Sequence, residues 1–414
     1  YFYPKIVIAG EWSGRLDDAG ERIELKDSLG NVLFSMQYDN ANGWPGRTDG
    51  KGSSLELKDP TAAVKNVAAL NSFLSRSSHW QASSLFNGSP GRLDLARPTL
   101  VINETLTHSN IGVDWVELHN SGDVELPLKD HYLSDQFDTP FRFAFGENTM
   151  ISAGGFMVIH EVELGFAFSE LGSDILLTLA NDDQIIRFID SVDVPATDQE
   201  TPYGRFTRTD GIVDFTRLNA ATAGVGNASP AIGPVVISEI MYHPLLSGLE
   251  YVELTNISAE PVSLFDPLRL QNVWILSGGI DLEFPQNITL EPGEIILLTG
   301  AEPDVFRSQY GLEETIKIFG PWSGVLNNAG ELVRLRRPGT PEMDGTIPLY
   351  PVDETRYEPT NPWPLEADGL GSSLERSPLA SYGNDPYMWI ASANEGTPGT
   401  LPGNQAPVLP EINH

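Results

Sequence analysis

The chain contains no cysteine. That excludes disulfide staples, thiol catalysis, and metal or iron–sulfur centres built on thiolates. Basic residues are scarce: 25 Lys and Arg stand against 57 Asp and Glu, a formal net charge of −32. No basic stripe offsets that field, so like-charge repulsion disfavours nucleic acid and anionic lipid surfaces as partners. No apolar run approaches the roughly 20 residues of a membrane-spanning helix, and membrane insertion is not expected. The opening Tyr1-Phe2-Tyr3-Pro4 carries no initiator Met, no basic n-region and no apolar h-region. Also missing are His-Glu-x-x-His, Gly-x-Ser-x-Gly and a phosphate loop ending in Gly-Lys-Ser/Thr.

What is present suffices for a folded protein. The 414 residues correspond to roughly two to four domains of about 100–200 residues each. Hydrophobic residues make up 40% of the chain and aromatics 9%, enough to fill real cores. The strongest signal is internal repetition. The run IVIAGEWSGRLDDAGERIEL from Ile6 recurs as IKIFGPWSGVLNNAGELVRL from Ile316. Further on, Trp44-Pro45 with TDGKGSSLE to Glu56 is echoed by Trp363-Pro364 with ADGLGSSLE to Glu375. Then Trp80-Gln81-Ala82-Ser83 matches Trp389-Ile390-Ala391-Ser392, each followed by a Gly-x-Pro-Gly turn. A second correspondence joins Ile102-Asn103-Glu104 and Asp114-Trp115-Val116-Glu117-Leu118 to Ile237-Ser238-Glu239 and Glu250-Tyr251-Val252-Glu253-Leu254.

The chain therefore reads as three copies of one unit. Residues 233–403 hold a complete copy, residues 98–232 a complete but divergent one, and residues 1–95 only a second half. The half they lack corresponds to residues 235–299. Short apolar runs such as Val116-Glu117-Leu118 and Ile295-Ile296-Leu297-Leu298, bounded by Gly, Pro, Asn and Asp, are strand signatures. Many short strands at this spacing predict all-β sandwiches or barrels. Helical periodicity is confined to residues 61–75 and 304–310, so only short helices are expected.

The series Ile237-Ser238-Glu239-Ile240, Glu250 to Asn256, Leu290-Glu291-Pro292-Gly293-Glu294, the turn from Phe306 to Tyr310-Gly311, and Thr397-Pro398-Gly399 resembles a bacterial lamin-tail domain. The middle copy resembles it in Ile102 to Asn120 and in Tyr203-Gly204-Arg205. The resemblance implies tandem immunoglobulin-like β-sandwiches and carries no catalytic residues. Residues 404–414 resemble a linker and the first strand of a cadherin-like or immunoglobulin-like module. Together these imply an interior slice of a long exported protein, placed outside the cell or on its surface.

Candidate chemistry is sparse. Gly50-Lys51-Gly52 begins like a dinucleotide fingerprint, but its sixth position is Leu55, so it reads as a turn. Glu104 with Glu117, and Glu239 with Glu253, recur in both complete copies. Paired carboxylates can bind calcium or run acid–base chemistry. Glu117 alternates with Val116 and Leu118, which points it away from the apolar face, as a solvated or hydrogen-bonded strand residue would point. Calcium is the one cofactor these residues would suit, with Glu104, Glu117, Glu239 and Glu253 as its ligands. Asp17-Asp18 answers to Asn327-Asn328, which favours an Asx turn over a cation site. His119 shares a strand face with Glu117. Six Trp form repeat pairs, Trp12/Trp322, Trp44/Trp363 and Trp80/Trp389, as shared core anchors would. Trp115 answers to Tyr251, which leaves Trp274, in a loop-like stretch: core or loop packing is its expected role, and if exposed it is the candidate contact residue.

Two functions follow. One is a non-catalytic structural, adhesive or assembly segment, partnered by neighbouring domains of a longer chain or by copies of itself through strand donation in a filament or surface layer. The other is a ligand- or carbohydrate-binding accessory region of a secreted multidomain enzyme.

Overall fold

The computed structural model describes residues 10–40, 43–62, 64, 66–91, 98–181, 184–245, 249–393 and 395–401. The opening Tyr1-Phe2-Tyr3-Pro4 and the module start expected at 404–414 lie outside the described residues. The all-β expectation holds: short strands dominate, and the α-helices are Val67–Leu74, Glu161–Leu164 and Pro303–Tyr310. Among the described residues no helix is long and apolar enough to cross a membrane. The chain divides into two compact units, one of residues 1–102, 117–166 and 174–193, the other of residues 103–116, 167–173 and 194–414.

In the second unit, residues 235–391 form a two-sheet sandwich. One sheet has six strands in the order Lys317–Phe319, Ile295–Thr299, Tyr251–Asn256, Val235–Met241, Leu374–Arg376, Trp389–Ala391. The other runs Ser323–Gly324, Ile280–Glu283, Ile275–Gly278, Glu331–Pro338, Leu349–Tyr357. Val235, Ile237, Val252, Leu254 and Leu298 from the first face Leu276, Leu282, Val333 and Leu335 from the second in one core. Alternation accounts for most of this face assignment, because side chains along a strand point to opposite sides.

A register shift between Ile237 and Glu239 breaks the alternation. The extra residue puts Ser238 and Glu239 on the same outer face and lets Ile240 return to the core beside Ile237. That outer face is not open to water. Met241, Tyr251 and Leu297 pack there against Phe306 of the Pro303–Tyr310 helix, with Tyr310 beside them.

Within the first unit, the described residues of 10–91 repeat the strand pairings of the second half of that sandwich, with the helix Val67–Leu74 inserted in a segment where the later copy has only the short turn Pro386–Met388. The hairpin Arg22–Lys26 with Val32–Gln37 carries a bulge after Leu25, and Glu331–Pro338 with Leu349–Tyr357 carries one after Leu335, the matching position. Leu55–Leu57 pairs with Trp80–Ala82 in the register that joins Leu374–Arg376 to Trp389–Ala391. Trp44 and Trp80 sit 6.2 Å apart, and Trp363 and Trp389 5.9 Å. Both later Trp indoles donate to the carbonyl six residues earlier, Leu74 at 2.8 Å and Gly383 at 2.9 Å. The expected Asx turns are present, Ala19 N–H donating to Asp17 and Ala329 N–H to Asn327, each at 2.9 Å.

Candidate functional site

The recurring glutamates come together on the outer face of the six-stranded sheet. Glu239 lies directly opposite Glu253 on one neighbouring strand and opposite Glu375 on the other. All three are buried. Of the two expectations for the strand glutamates, solvated or hydrogen-bonded, the structure shows the second: alternation turns them away from the core, but the Pro303–Tyr310 helix and the segment 395–401 cover that side too.

Burying carboxylates is costly unless donors replace water. Four groups point at Glu239 Oε1: Tyr251 Oη at 2.5 Å, Ser373 Oγ, Thr397 N–H at 2.8 Å and Thr397 Oγ1 at 3.2 Å. Glu253 accepts from Ser238 Oγ and from the Gly399 amide, both at 2.8 Å. The Thr397 hydroxyl also reaches Glu375. Thr397-Pro398-Gly399, the closing motif, is thus fastened to the sheet by carboxylates about 150 residues earlier in the chain.

The electrostatics follow from the crowding. Burial, reinforced by the neighbouring Glu239 charge, pushes the Glu253 carboxyl up to about 8. Burial raises Glu239 as well, while hydroxyl and amide donors pull it back. Glu253 receives fewer donors than Glu239, so less offsets the burial that raises it. Burial, then the Glu239 charge, also raises the Tyr251 phenol well above its ordinary value.

The same closure recurs elsewhere. Glu104, also in the second unit, accepts from the Thr222 amide at 2.8 Å and from its hydroxyl at 2.5 Å, and burial raises its carboxyl. Thr222 precedes Ala223-Gly224, the divergent counterpart of Pro398-Gly399. In residues 10–91, Ser89, at the position of Thr397, donates to Glu56, at the position of Glu375. Glu117, in the first unit, is buried within Trp115–Asn120, and His119 stacks on Phe156 with ring centres 4.3 Å apart. Among the described residues, no group of three or more His, Asp or Glu side chains is arranged to hold a metal ion.

Of the two expectations for Trp274, packing holds and the exposed contact residue is corrected. It is only 4% exposed and belongs to the sandwich core, held because its amide donates to Leu264 O and its carbonyl accepts from Phe284 N. Its edge contributes to the wall of a cleft of about 710 Å³ in the second unit, whose polar lining includes His108, Glu170, Asp198, Arg269 and Arg337. These charges are matched internally: His108 to Glu170 at 2.8 Å, Arg269 to Asp266 at 3.1 Å, and Arg337 to Asp198. Arg337 also lies over the Tyr350 ring, 5.2 Å from its centre.

Three sets of residues carry structural weight that pattern reading did not assign. Thr222 and Thr397 make the clamps just described. Asn120 and Asn256 are buried, and each donates to three backbone carbonyls of the loops around it, at 2.7–3.2 Å and 2.9–3.2 Å. Arg376 and Asp353 form a buried ion pair at 2.5 Å, and Asp353 also accepts from the Ile237 amide at 2.8 Å. The shared Asn of the two strand motifs was the one visible hint. Arg376 gave none, since its counterpart in residues 10–91 is Leu57 and that of Asp353 is Phe34.

Comparison with known proteins bears on residues 95–195, which match the family model described as Lamin Tail Domain. No curated protein matches the chain. Among solved structures, a DUF4876 family protein from Bacteroides thetaiotaomicron is similar at 10% sequence identity and a TM-score of 0.26, covering 76% of this chain and 99% of its own. At that score the likeness carries no argument.

Proposed function

We propose that this chain is a non-catalytic structural segment of an extracellular or cell-surface bacterial protein. It consists of lamin-tail-like units in series, one incomplete over residues 1–95 and two complete over 98–232 and 233–403, and its function is to hold what it connects at a fixed spacing. The observation that carries the reading is the seam inside the second unit. There the ribbon of Tyr203–Thr207 and Val213–Arg217 is tied to the 235–391 sandwich. Arg217 donates to Val352 O at 2.7 Å, and the Thr209 amide and hydroxyl donate to Asp385 at 2.8 and 2.6 Å. Tyr382 donates to Asp214 at 3.1 Å, and its ring packs edge-on against Phe206 at 5.4 Å.

Hydrogen bonds to charged groups contribute about 1.5–3 kcal/mol each where water is excluded. A row of them makes a stiff joint rather than a hinge. The covered glutamates support the same reading, because the donors to Glu104, Glu239 and Glu253 are side chains and amides of their own unit that fasten chain segments together. Pulsed electron–electron distances between spin labels at Ile212→Cys and Leu365→Cys test it. Both positions are exposed, and the chain offers no competing thiol.

The accessory-binding reading has the 710 Å³ cleft in its favour. The buried indole of Trp274 denies that cleft the aromatic platform on which a sugar ring would stack.

A further inference from the structure

The half-unit in residues 10–91 offers the same surface that, in the complete copy, is covered by residues 235–299. Trp322 is 6% exposed in the sandwich core, whereas its counterpart Trp12 is 77% exposed. Leu335 is fully buried, and its counterpart Leu25 is 50% exposed. Leu326 and Val352 are buried, and their counterparts Leu16 and Leu33 are exposed. Monomeric proteins seldom leave clustered large apolar side chains of this kind facing water.

The strand edges tell the same story. Leu374–Arg376 pairs on one side with Trp389–Ala391 and on the other with Val235–Met241. Leu55–Leu57 pairs, among the described residues, with Trp80–Ala82 alone. Glu331–Pro338 has Leu349–Tyr357 on one side and Ile275–Gly278 on the other, while Arg22–Lys26 has, among the described residues, Val32–Gln37 alone. Among the described residues, two unpaired edges and one apolar face therefore coincide with the three surfaces that residues 235–299 occupy in the complete copy.

The surface is already formed. The bulge after Leu25, the Trp44–Trp80 pair and the Asx turn at Asp17 reproduce the complete unit. So does the hydrogen bond from the Tyr38 hydroxyl to Asp17 O at 2.7 Å, which matches Tyr357 to Asn327 O at 3.0 Å. A partner need not fold this half. It has only to lay strands on it.

We propose that Trp12, Leu16, Leu25 and Leu33, with the free edges of Arg22–Lys26 and Leu55–Leu57, form a docking surface for a half-sandwich of the residues 235–299 pattern, joined in the same polypeptide ahead of residue 6. The occupant brings one strand for each edge and alternating Val, Ile and Leu for the apolar face. Its place in the same chain follows from connectivity. In the complete copy the covering half ends at Thr299, crosses through the Pro303–Tyr310 helix, and enters Lys317–Phe319 parallel to Ile295–Thr299. The sequence from Ile316 is the one that recurs from Ile6. A second copy of this chain is a poorer occupant, since its own residues 235–299 are consumed in its own sandwich.

Because the chain lacks cysteine, a single introduced thiol reports its own accessibility. Leu25→Cys would be labelled with a maleimide in the full chain and in the full chain carrying a second copy of residues 235–315 ahead of residue 6. Leu29→Cys, in an exposed turn, serves as control. The expected result is labelling at position 25 at least about tenfold slower in the extended chain, with position 29 unchanged, since protection scales with the free energy of opening. Equal rates at position 25 in both chains would overturn the proposal. So would protection in the unextended chain that appears only in a dimer by light scattering, which would make a second copy the occupant. Should the extended chain fail to fold, shown by labelling of a buried Leu335→Cys, a 235–315 polypeptide added to the intact Leu25→Cys chain decides. Protection supports the surface, and no protection at saturating concentration rejects it.

Discussion

Replacing Glu253 by Gln tests the buried carboxylate clamp through its pH dependence. An acid whose folded-state pKa is raised binds its proton more tightly in the folded state, so its contribution is fully present below the unfolded value. It is lost as pH rises toward the folded one. For Glu253 that window runs from the ordinary 4.5 to about 8. Within it, each pH unit costs the folded state roughly 1 kcal/mol for the one proton held. Glu253→Gln is neutral throughout and removes that slope. It has its own fixed cost of about 1 kcal/mol, because an amide cannot accept from both Ser238 and the Gly399 amide. The informative quantity is therefore the change with pH of the difference between variant and parent. Between about pH 5 and pH 7 that difference should move by roughly 2 kcal/mol in favour of the variant, about 4–8 °C in Tm for a unit of this size. Differential scanning calorimetry across that range reads it directly. Adding Glu239→Gln in the parent background should shift the slope to lower pH, because it removes the like charge that helps to raise Glu253. A difference between parent and Glu253→Gln that stays constant with pH would refute the buried, proton-holding carboxyl.

Two further outcomes follow from the same packing. Arg376→Leu should cost about 3–5 kcal/mol, because it leaves Asp353 charged and buried with the Ile237 amide, whereas Arg376→Leu with Asp353→Phe should recover most of that loss, as the Leu57 and Phe34 counterparts imply; urea unfolding of the three chains checks it. The amides of Thr222, Thr397 and Gly399 should exchange slowly with solvent deuterium, at rates that millimolar calcium and a chelator leave alike. Calcium-dependent protection at those amides would restore the cation reading of Glu104, Glu117, Glu239 and Glu253.

Much of this architecture is legible in the amino-acid sequence. Short apolar runs bounded by Gly and Pro marked the strands, and the spacing of Trp44, Trp80, Trp363 and Trp389 marked equivalent points of one unit. Those Trp pairs do meet in matching geometry. Side-chain alternation correctly sent the glutamates away from the core, but it is a local rule. It could not show that Thr397, 158 residues beyond Glu239, returns to cover that face. The bulge at Ser238 and Glu239 was equally hidden, since an inserted residue leaves no trace in composition. Trp274 looked like a loop residue because its neighbours Asn272 and Gln271 are polar, yet the strands on both sides turn its ring inward. Arg376 and Asp353 meet only because two distant strands cross the sandwich, and no periodicity within either strand announces the other.

The spin-label distance between Ile212→Cys and Leu365→Cys tests the structural reading most directly. The seam through Arg217, Thr209, Asp385 and Tyr382 predicts one narrow distance distribution that broadens when Arg217 and Asp385 are both changed to Ala. A distribution already broad in the parent chain, and unmoved by those changes, would contradict a stiff segment and leave the chain a flexible tether.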